Sequence, residues 1–208
     1  MHDLTVLIPT FNEIKNLVKI FRYNYNYLVI DDGSTDGTEK LLIKKKIKYI
    51  KNKKNIGYER SLIKGFNFLK KKKNIKYICT IDGDGEHPIN EVKKIYFLAK
   101  TQKADLIICN RKYKNRLLEN LISFFFHIRY GLKDPLSGMK IYYNPKIKNI
   151  IKKLSSNYFI VDLIIFLIKK NCKILNHQIE TKSKTSASKI GYSFFTQLKI
   201  IRLLKFII

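Results

Sequence analysis

Apolar residues in the first half of this chain fall in short unbroken runs, each stopped by a polar turn. Residues 4–10 read Leu-Thr-Val-Leu-Ile-Pro-Thr, residues 27–30 Tyr-Leu-Val-Ile, and residues 76–81 Lys-Tyr-Ile-Cys-Thr-Ile. Runs of this length, rich in β-branched residues and bounded by Pro, Gly or Asp, predict buried strands. A shorter run at 47–50 predicts another. Between the runs the pattern turns helical: a helix opens after Glu13, and residues 59–72 form a second. Strands alternating with helices predict an α/β fold with a mostly parallel central sheet flanked by helices.

In such sheets ligands bind at the carboxyl ends of the strands. Three polar turns fall there: Thr10 to Glu13, Asp31 to Asp36 and Asp82 to Glu86. The third, Asp82-Gly-Asp84-Gly-Glu-His-Pro88, carries two carboxylates one residue apart. Side chains at i and i+2 lie on one side of a strand, so Asp82 and Asp84 can converge on one cation. Hard divalent cations take oxygen ligands and keep positions open for phosphate oxygens. The alternative is an Asx-type turn with solvated carboxylates.

The pattern changes after Arg111. An apolar helix is expected at 117–130, then a turn at Asp134 to Gly138, a strand at 139–143, helices at 146–154 and 161–170, and a strand at 174–179. A basic-apolar helix, 191–208, closes the chain. One domain over 1–190 follows, its two halves meeting at about residue 111 with no linker between them.

Four segments carry a family resemblance. They are Val6-Leu-Ile-Pro-Thr-Phe-Asn-Glu13, Val29-Ile-Asp-Asp-Gly-Ser-Thr-Asp-Gly-Thr38, Asn55-Ile-Gly57 and Asp82 to Pro88. Together they resemble family 2 glycosyltransferases, in particular the dolichyl-phosphate mannosyltransferase-like branch. Asp134-Pro-Leu-Ser-Gly138 and Phe159 to Asp162 are similar to downstream motifs of that branch. The resemblance implies a GT-A (Rossmann-like) fold and an inverting hexosyltransferase using a nucleotide sugar. It implies Asp84 on Mg²⁺ or Mn²⁺, with Asp82 on metal or ribose.

It also assigns Asp31 and Asp32 to the nucleoside, and Pro9, Thr10 and Glu13 to the base pocket. Glu13 has an alternative role as a carboxylate favoured by the helix dipole. Ser34, Asp36 and Thr38 suit local turn and cap chemistry. Ser137 and Asp134 border sugar and acceptor by resemblance. Asp134 is the candidate base for a hydroxyl acceptor, and Asp162 the reserve. A lipid-phosphate acceptor is already anionic and needs no base.

Arg111 follows a strand and can pair with a phosphate in bidentate fashion; Arg116 is a similar candidate. The branch carries a basic-Gly-Ser-Lys stretch after its last strand. Here Ser188-Lys189 fit it, with Ser183 in place of an Arg, Ser186 in place of a Gly, and Lys182 or Lys184 to restore the charge. His87 is either a contact to the sugar or a residue packed on the metal turn.

Composition adds a choice of partner. The formal net charge is +26, with 42 Lys and Arg against 16 Asp and Glu. Phosphate neutralisation on nucleic acid is one reading. The charge is scattered lysine, only six residues are Arg, and groove-reading motifs are absent. The other readings are adhesion to anionic lipid and drift in composition. The expected partners are a nucleotide-sugar donor, a polyprenyl-phosphate or lipid-linked saccharide acceptor and an anionic membrane surface, with no nucleic acid; a homodimer is compatible. The contrasting class is a basic nucleotide- or nucleic-acid-binding protein without catalysis.

No stretch is long and apolar enough to span a bilayer, and the chain enters a strand at once, so no signal peptide is expected. Cys79, Cys109 and Cys172 fit no zinc spacing and read as free thiols in a reducing compartment. The expected location is cytoplasmic, peripheral on the inner membrane face.

Overall fold

The computed structural model describes residues 1–112, 117–151, 154 and 159–181. The expectations for Arg116, Lys184, Lys189 and the 191–208 helix lie outside these residues.

Seven strands form one sheet. They are β1 (Leu4–Thr10), β2 (Tyr27–Asp31), β3 (Lys48–Lys51), β4 (Tyr77–Thr80), β5 (Leu106–Arg111), β6 (Lys140–Tyr143) and β7 (Ile174–Ile179), in the spatial order β3-β2-β1-β4-β6-β5-β7. All neighbouring pairs are parallel except those of β6, which runs antiparallel to both β4 and β5. The helices are α1 (Ile14–Ile20), α2 (Thr38–Lys44), α3 (Tyr58–Leu69), α4 (Val92–Thr101), α5 (Leu117–Tyr130), α6 (Asn144–Ile147) and α7 (Phe159–Lys169).

β1 and β2 are buried at every position, which explains why they read as continuous apolar runs rather than alternations. Core lies on both faces of the sheet. On one face Leu7, Leu28 and Ile30 pack with Phe66, Phe126, Phe159 and Leu163 from α3, α5 and α7. On the other Val6, Ile8 and Val29 pack with Leu17, Leu42, Val92 and Ile95 from α1, α2 and α4.

The chain builds β1, β2 and β3 outward and then returns to lay β4 on the other side of β1. The reversal opens a crevice between β1 and β4 at their carboxyl ends, the place where sheets of this kind bind ligands. The antiparallel β6 brings a further segment there. Its Lys140 pairs with Thr80 and Ile108, so the Asp134 to Gly138 turn that precedes β6 meets the ends of β4 and β5.

Most expected elements are present within a residue or two. The helix expected at 146–154 differs: α6 spans Asn144–Ile147, with Pro145 in its first turn. The Asn144 side chain is buried and donates to the Ile75 carbonyl, 2.9 Å, which anchors the helix start two residues earlier than expected.

Candidate active site

The β1–α1 and β2–α2 turns are stitched together by side chains from each. The Asn12 N–H donates to Ser34 Oγ (2.9 Å), Thr35 N–H to Asn12 Oδ1 (2.8 Å), and Ile14 N–H to Asp36 Oδ2 (2.9 Å). Asp36 Oδ1 also accepts from the Thr38 N–H and hydroxyl. Burial raises the Asp36 carboxyl, and these bonds outweigh it and lower it below its usual range. Asp36 and Thr38 thus bond locally as expected, but Ser34 and Asp36 also tie the two turns together, and the N-cap of α2 is Gly37 with no side-chain cap. Glu13 accepts from the Asn16 amide at 2.8 Å, at the start of α1.

Asp31 and Asp32 are both buried, but their surroundings differ. Asp32 Oδ1 accepts from Asn52 Nδ2 (2.7 Å) and Ile56 N–H (2.9 Å), and Oδ2 from Gly57 N–H (2.9 Å). This carboxylate holds the Asn55 to Gly57 turn that starts α3. Asp31 Oδ1 accepts from Ser34 N–H at 2.9 Å, while Oδ2 has no partner among the described residues. Thr10 Oγ1, at the end of neighbouring β1, is buried and equally unpartnered. Buried polar atoms are normally bonded, so these two leave hydrogen-bonding capacity free at the ends of neighbouring strands. Pro9 is buried in β1, paired with Ile30.

Beside this pair lies the β4 turn. Gly83 sits so close to Thr10 that a Cβ there would lie 2.7 Å from the hydroxyl. Asp82 Oδ1 accepts from the Tyr58 hydroxyl at 2.7 Å, and Oδ2 lies 3.1 Å from His87 Nε2. Gly138 packs onto the same carboxylate, and a Cβ at that position would overlap it. Burial raises the Asp82 carboxyl, but His87, the Tyr58 hydroxyl and the Lys140 ammonium together hold it at about 2. Tyr58 is pushed well above its ordinary range, by burial first and then by Asp82. Asp84 is half-buried, and its Oδ1 accepts from Glu86 N–H at 3.0 Å.

No group of three or more His, Cys, Asp or Glu among the described residues forms a metal cage. The turn instead offers oxygen donors beside a crevice. That donor set fits a hard divalent cation arriving with phosphate oxygens and water.

The structure brings Arg111 and Asp134 together. Asp134 is fully buried. Its Oδ2 accepts from the Arg111 N–H (3.1 Å) and Nε (2.9 Å), and its Oδ1 from Nη2 (3.1 Å). Nη2 also donates to Glu119 of α5 at 3.0 Å. A carboxylate in a bidentate guanidinium pair is stabilised in its ionised form and accepts protons weakly.

Ser137 is buried. Its hydroxyl accepts from Met139 N–H at 3.3 Å, and its carbonyl accepts from the Lys140 ammonium. Burial pushes Lys140 down to about 8, against the raising pull of Asp134 and Asp82. Asp162 is half-buried in the first turn of α7, whose Phe159 N–H donates to Glu59 of α3 at 3.2 Å.

Sequence reasoning missed Tyr58, Lys140 and Glu119. Lys140 alone left a sign, a charged residue inside an apolar strand run. The three cysteines are free thiols, two of them buried, as expected.

The glycosyl transferase family 2 profile matches residues 5–155. An uncharacterized protein of Methanocaldococcus jannaschii is 29% identical, over 99% of this chain and 97% of its own length. A dolichol-phosphate mannosyltransferase of Pyrococcus furiosus is 30% identical over 65% of this chain, which spans 44% of that enzyme. Among solved structures, glucosyl-3-phosphoglycerate synthase of Mycobacterium tuberculosis, in complex with Mn²⁺, UDP-glucose and phosphoglyceric acid, superposes with a TM-score of 0.72. That match covers 99% of this chain and 80% of the synthase at 16% identity, and it establishes the fold. Profile, sheet order and crevice agree: this chain is a glycosyltransferase of GT-A fold and belongs to glycosyl transferase family 2.

Proposed function

We propose that this chain moves a hexosyl group from a nucleoside-diphosphate sugar to a polyprenyl phosphate, with inversion at the anomeric carbon, at the cytoplasmic face of a membrane. The donor reading rests on the unpartnered Asp31 Oδ2 and Thr10 Oγ1 beside the Asp82–Asp84 turn. Asp31 would accept from a base N–H or ribose hydroxyl. Asp82, already oriented by Tyr58 and His87, would hold the ribose or sugar side. A Mg²⁺ or Mn²⁺ held by Asp84 with the diphosphate would supply Lewis-acid stabilisation of the charge on the leaving oxygen. The synthase complexed with Mn²⁺ and UDP-glucose supports this donor class.

The acceptor reading rests on the Arg111–Asp134 pair. A hydroxyl acceptor needs a carboxylate that takes its proton. Asp134 is clamped by three bonds from Arg111 and is poorly suited to that role. A phosphate acceptor brings its own anionic oxygen. That oxygen attacks the anomeric carbon, the bond to the diphosphate breaks, and no proton must leave. Asp134 and Glu119 then orient Arg111, whose guanidinium would pair with the acceptor phosphate. The relative named for dolichol phosphate supports a lipid phosphate.

The test is sugar transfer to a short polyprenyl phosphate, run beside release of nucleoside diphosphate, with Mn²⁺ saturating. Wild type should transfer, and Asp84→Ala should lose turnover while keeping its melting temperature. Near wild-type activity in Asp84→Ala would remove the metal assignment. Glycosylation of a saccharide hydroxyl, with polyprenyl phosphate ignored, would replace the acceptor.

A further inference from the structure

Lysine is rarely buried, because an ammonium leaves water only at a cost. Lys140 is 1% exposed, in the strand that lies between β4 and β5. Its backbone pairs with Thr80, just before Asp82, and with Ile108, just before Arg111. Its chain neighbours Met139 and Ile141 are buried apolar residues, so packing alone asks for no charge here. The ammonium donates to the Ser137 carbonyl. Burial opposes its charge first, and Asp134 and then Asp82 favour it. One buried cation therefore acts on the carboxylate at the end of β4 and on the carboxylate paired with Arg111.

The turn that Lys140 grips touches both halves of the site. Its Gly138 carbonyl accepts from the buried Thr80 hydroxyl at 2.8 Å. Gly138 also packs so closely on Asp82 that a Cβ would overlap the carboxylate. At its other end the turn carries Asp134, which holds Arg111. The Ser137 N–H closes the turn by donating to the Asp134 carbonyl at 3.1 Å. A shift of Ser137 or Gly138 is thus felt at Asp82 on one side and at Asp134 and Arg111 on the other. A bond from an ammonium is stronger than one from a neutral donor, which makes Lys140 a firm anchor for this turn.

We infer that Lys140 is a positioning residue: it fixes the Asp134 to Gly138 turn against β4 and so sets where the Arg111 guanidinium stands relative to the Asp82 carboxylate. It acts through the turn and not on a substrate. Attack at the anomeric carbon depends on how closely acceptor and donor are aligned, and this turn is where their two sets of contacts meet. The buried charge itself opposes folding, so replacing it with an apolar side chain should loosen the alignment without undoing the fold. The lock follows from the contacts alone; its use in transfer rests on the lipid-phosphate reading above.

The experiment uses two variants of the full chain. Lys140→Met removes the charge and keeps most of the side-chain volume. Thr80→Val deletes the other bond to the same turn. Hydrogen exchange read by mass spectrometry at pH 7 reports on the turn directly. In both variants the segment 134–138 should exchange at least tenfold faster, while β1 and β2 keep wild-type protection and Lys140→Met keeps its melting temperature within a few degrees. Transfer to polyprenyl phosphate should show kcat reduced at least tenfold in Lys140→Met. Affinity for whichever of UDP and GDP the wild type binds should stay unchanged, because Thr10 and Asp31 lie on β1 and β2. Unchanged exchange at 134–138 in Lys140→Met overturns the inference. So does protection lost across the whole sheet with an early melt, which would make the lysine a part of general stability. Faster exchange with unchanged kcat overturns the role in transfer. A wild type that ignores polyprenyl phosphate, with the exchange difference present, removes the acceptor reading and leaves the lock standing.

Discussion

The Tyr58 hydroxyl donates to Asp82 Oδ1 at 2.7 Å, joining the start of α3 to the end of β4. Asp32 prepares the contact from behind, because its Oδ2 holds the Gly57 N–H one residue before Tyr58. One carboxylate of the β2 turn thus sets the helix that orients a carboxylate of the β4 turn. Tyr58→Phe keeps the ring volume and deletes the bond. A hydrogen bond to a charged group contributes about 1.5–3 kcal/mol to stability, so the melting temperature should fall by several degrees, and turnover should fall as Asp82 loses its orientation. Steady-state release of nucleoside diphosphate reads this directly. An unchanged rate would mean that Asp82 is oriented by His87 and Gly138 alone.

The two adjacent carboxylates of the β2 turn should separate in experiment. Asp31→Asn keeps the acceptor for Ser34 N–H and places an amide donor where Oδ2 faced the crevice. Calorimetry should show nucleoside-diphosphate affinity reduced at least tenfold with stability nearly unchanged. Asp32→Ala strands the Ile56 N–H and leaves the Asn52 amide and the Gly57 N–H only their longer bonds to Ser61 Oγ (3.2 Å) and Asn55 Oδ1 (3.1 Å). Each unsatisfied buried group costs about 1–3 kcal/mol, so the main effect should be on denaturant midpoint. If Asp32→Ala changes affinity and not stability, the roles assigned to the two residues are reversed.

Much of this site was legible in the chain. The runs ending at Thr10, Asp31 and Thr80 mark three strands, and a parallel sheet puts their ends together. The motifs therefore located the crevice. The division of labour between Asp31 and Asp32 was not legible, because it depends on where the Asn52 and Gly57 donors arrive, about twenty residues later. The Arg111–Asp134 pair was hidden for a similar reason. Both residues drew attention as polar groups at turns, but the antiparallel entry of β6 decides that they face each other. Tyr58 follows a glycine at a helix start, and nothing in local pattern points it at Asp82.

Arg111 carries two loads, and substitution should expose both. Removing it breaks the buried ion pair with Asp134, which typically costs about 3–5 kcal/mol. Arg111→Ala should therefore melt early as well as lose acceptor use. Glu119→Gln is milder. It weakens one bond to Nη2, keeps the Asp134 pair and should leave donor affinity intact. The expected result is a several-fold rise in KM for polyprenyl phosphate with a small change in melting temperature. An unchanged KM would show that Glu119 does not help to aim the guanidinium.

Lys140 gives a pH test. Its ammonium is buried against the Ser137 carbonyl, with Asp134 and Asp82 near enough to act on its charge. Burial lowers it from 10.5 to about 8 in the folded chain. Below about pH 8 the lysine is protonated in both states, and the buried charge costs stability. Between about 8 and 10.5 the folded chain has shed the proton while the unfolded chain still holds it, so stability should rise with pH. Lys140→Met removes this titration and leaves other groups in place. The variant should be more stable relative to wild type at pH 7 than at pH 10, by on the order of 3 kcal/mol at most. Chemical denaturation of both proteins at pH 7, 8, 9 and 10 isolates the lysine, because the remaining pH dependence cancels in the difference. A flat difference across that range would mean that Lys140 keeps its proton in the folded state, held by Asp134 and Asp82 more strongly than burial opposes it.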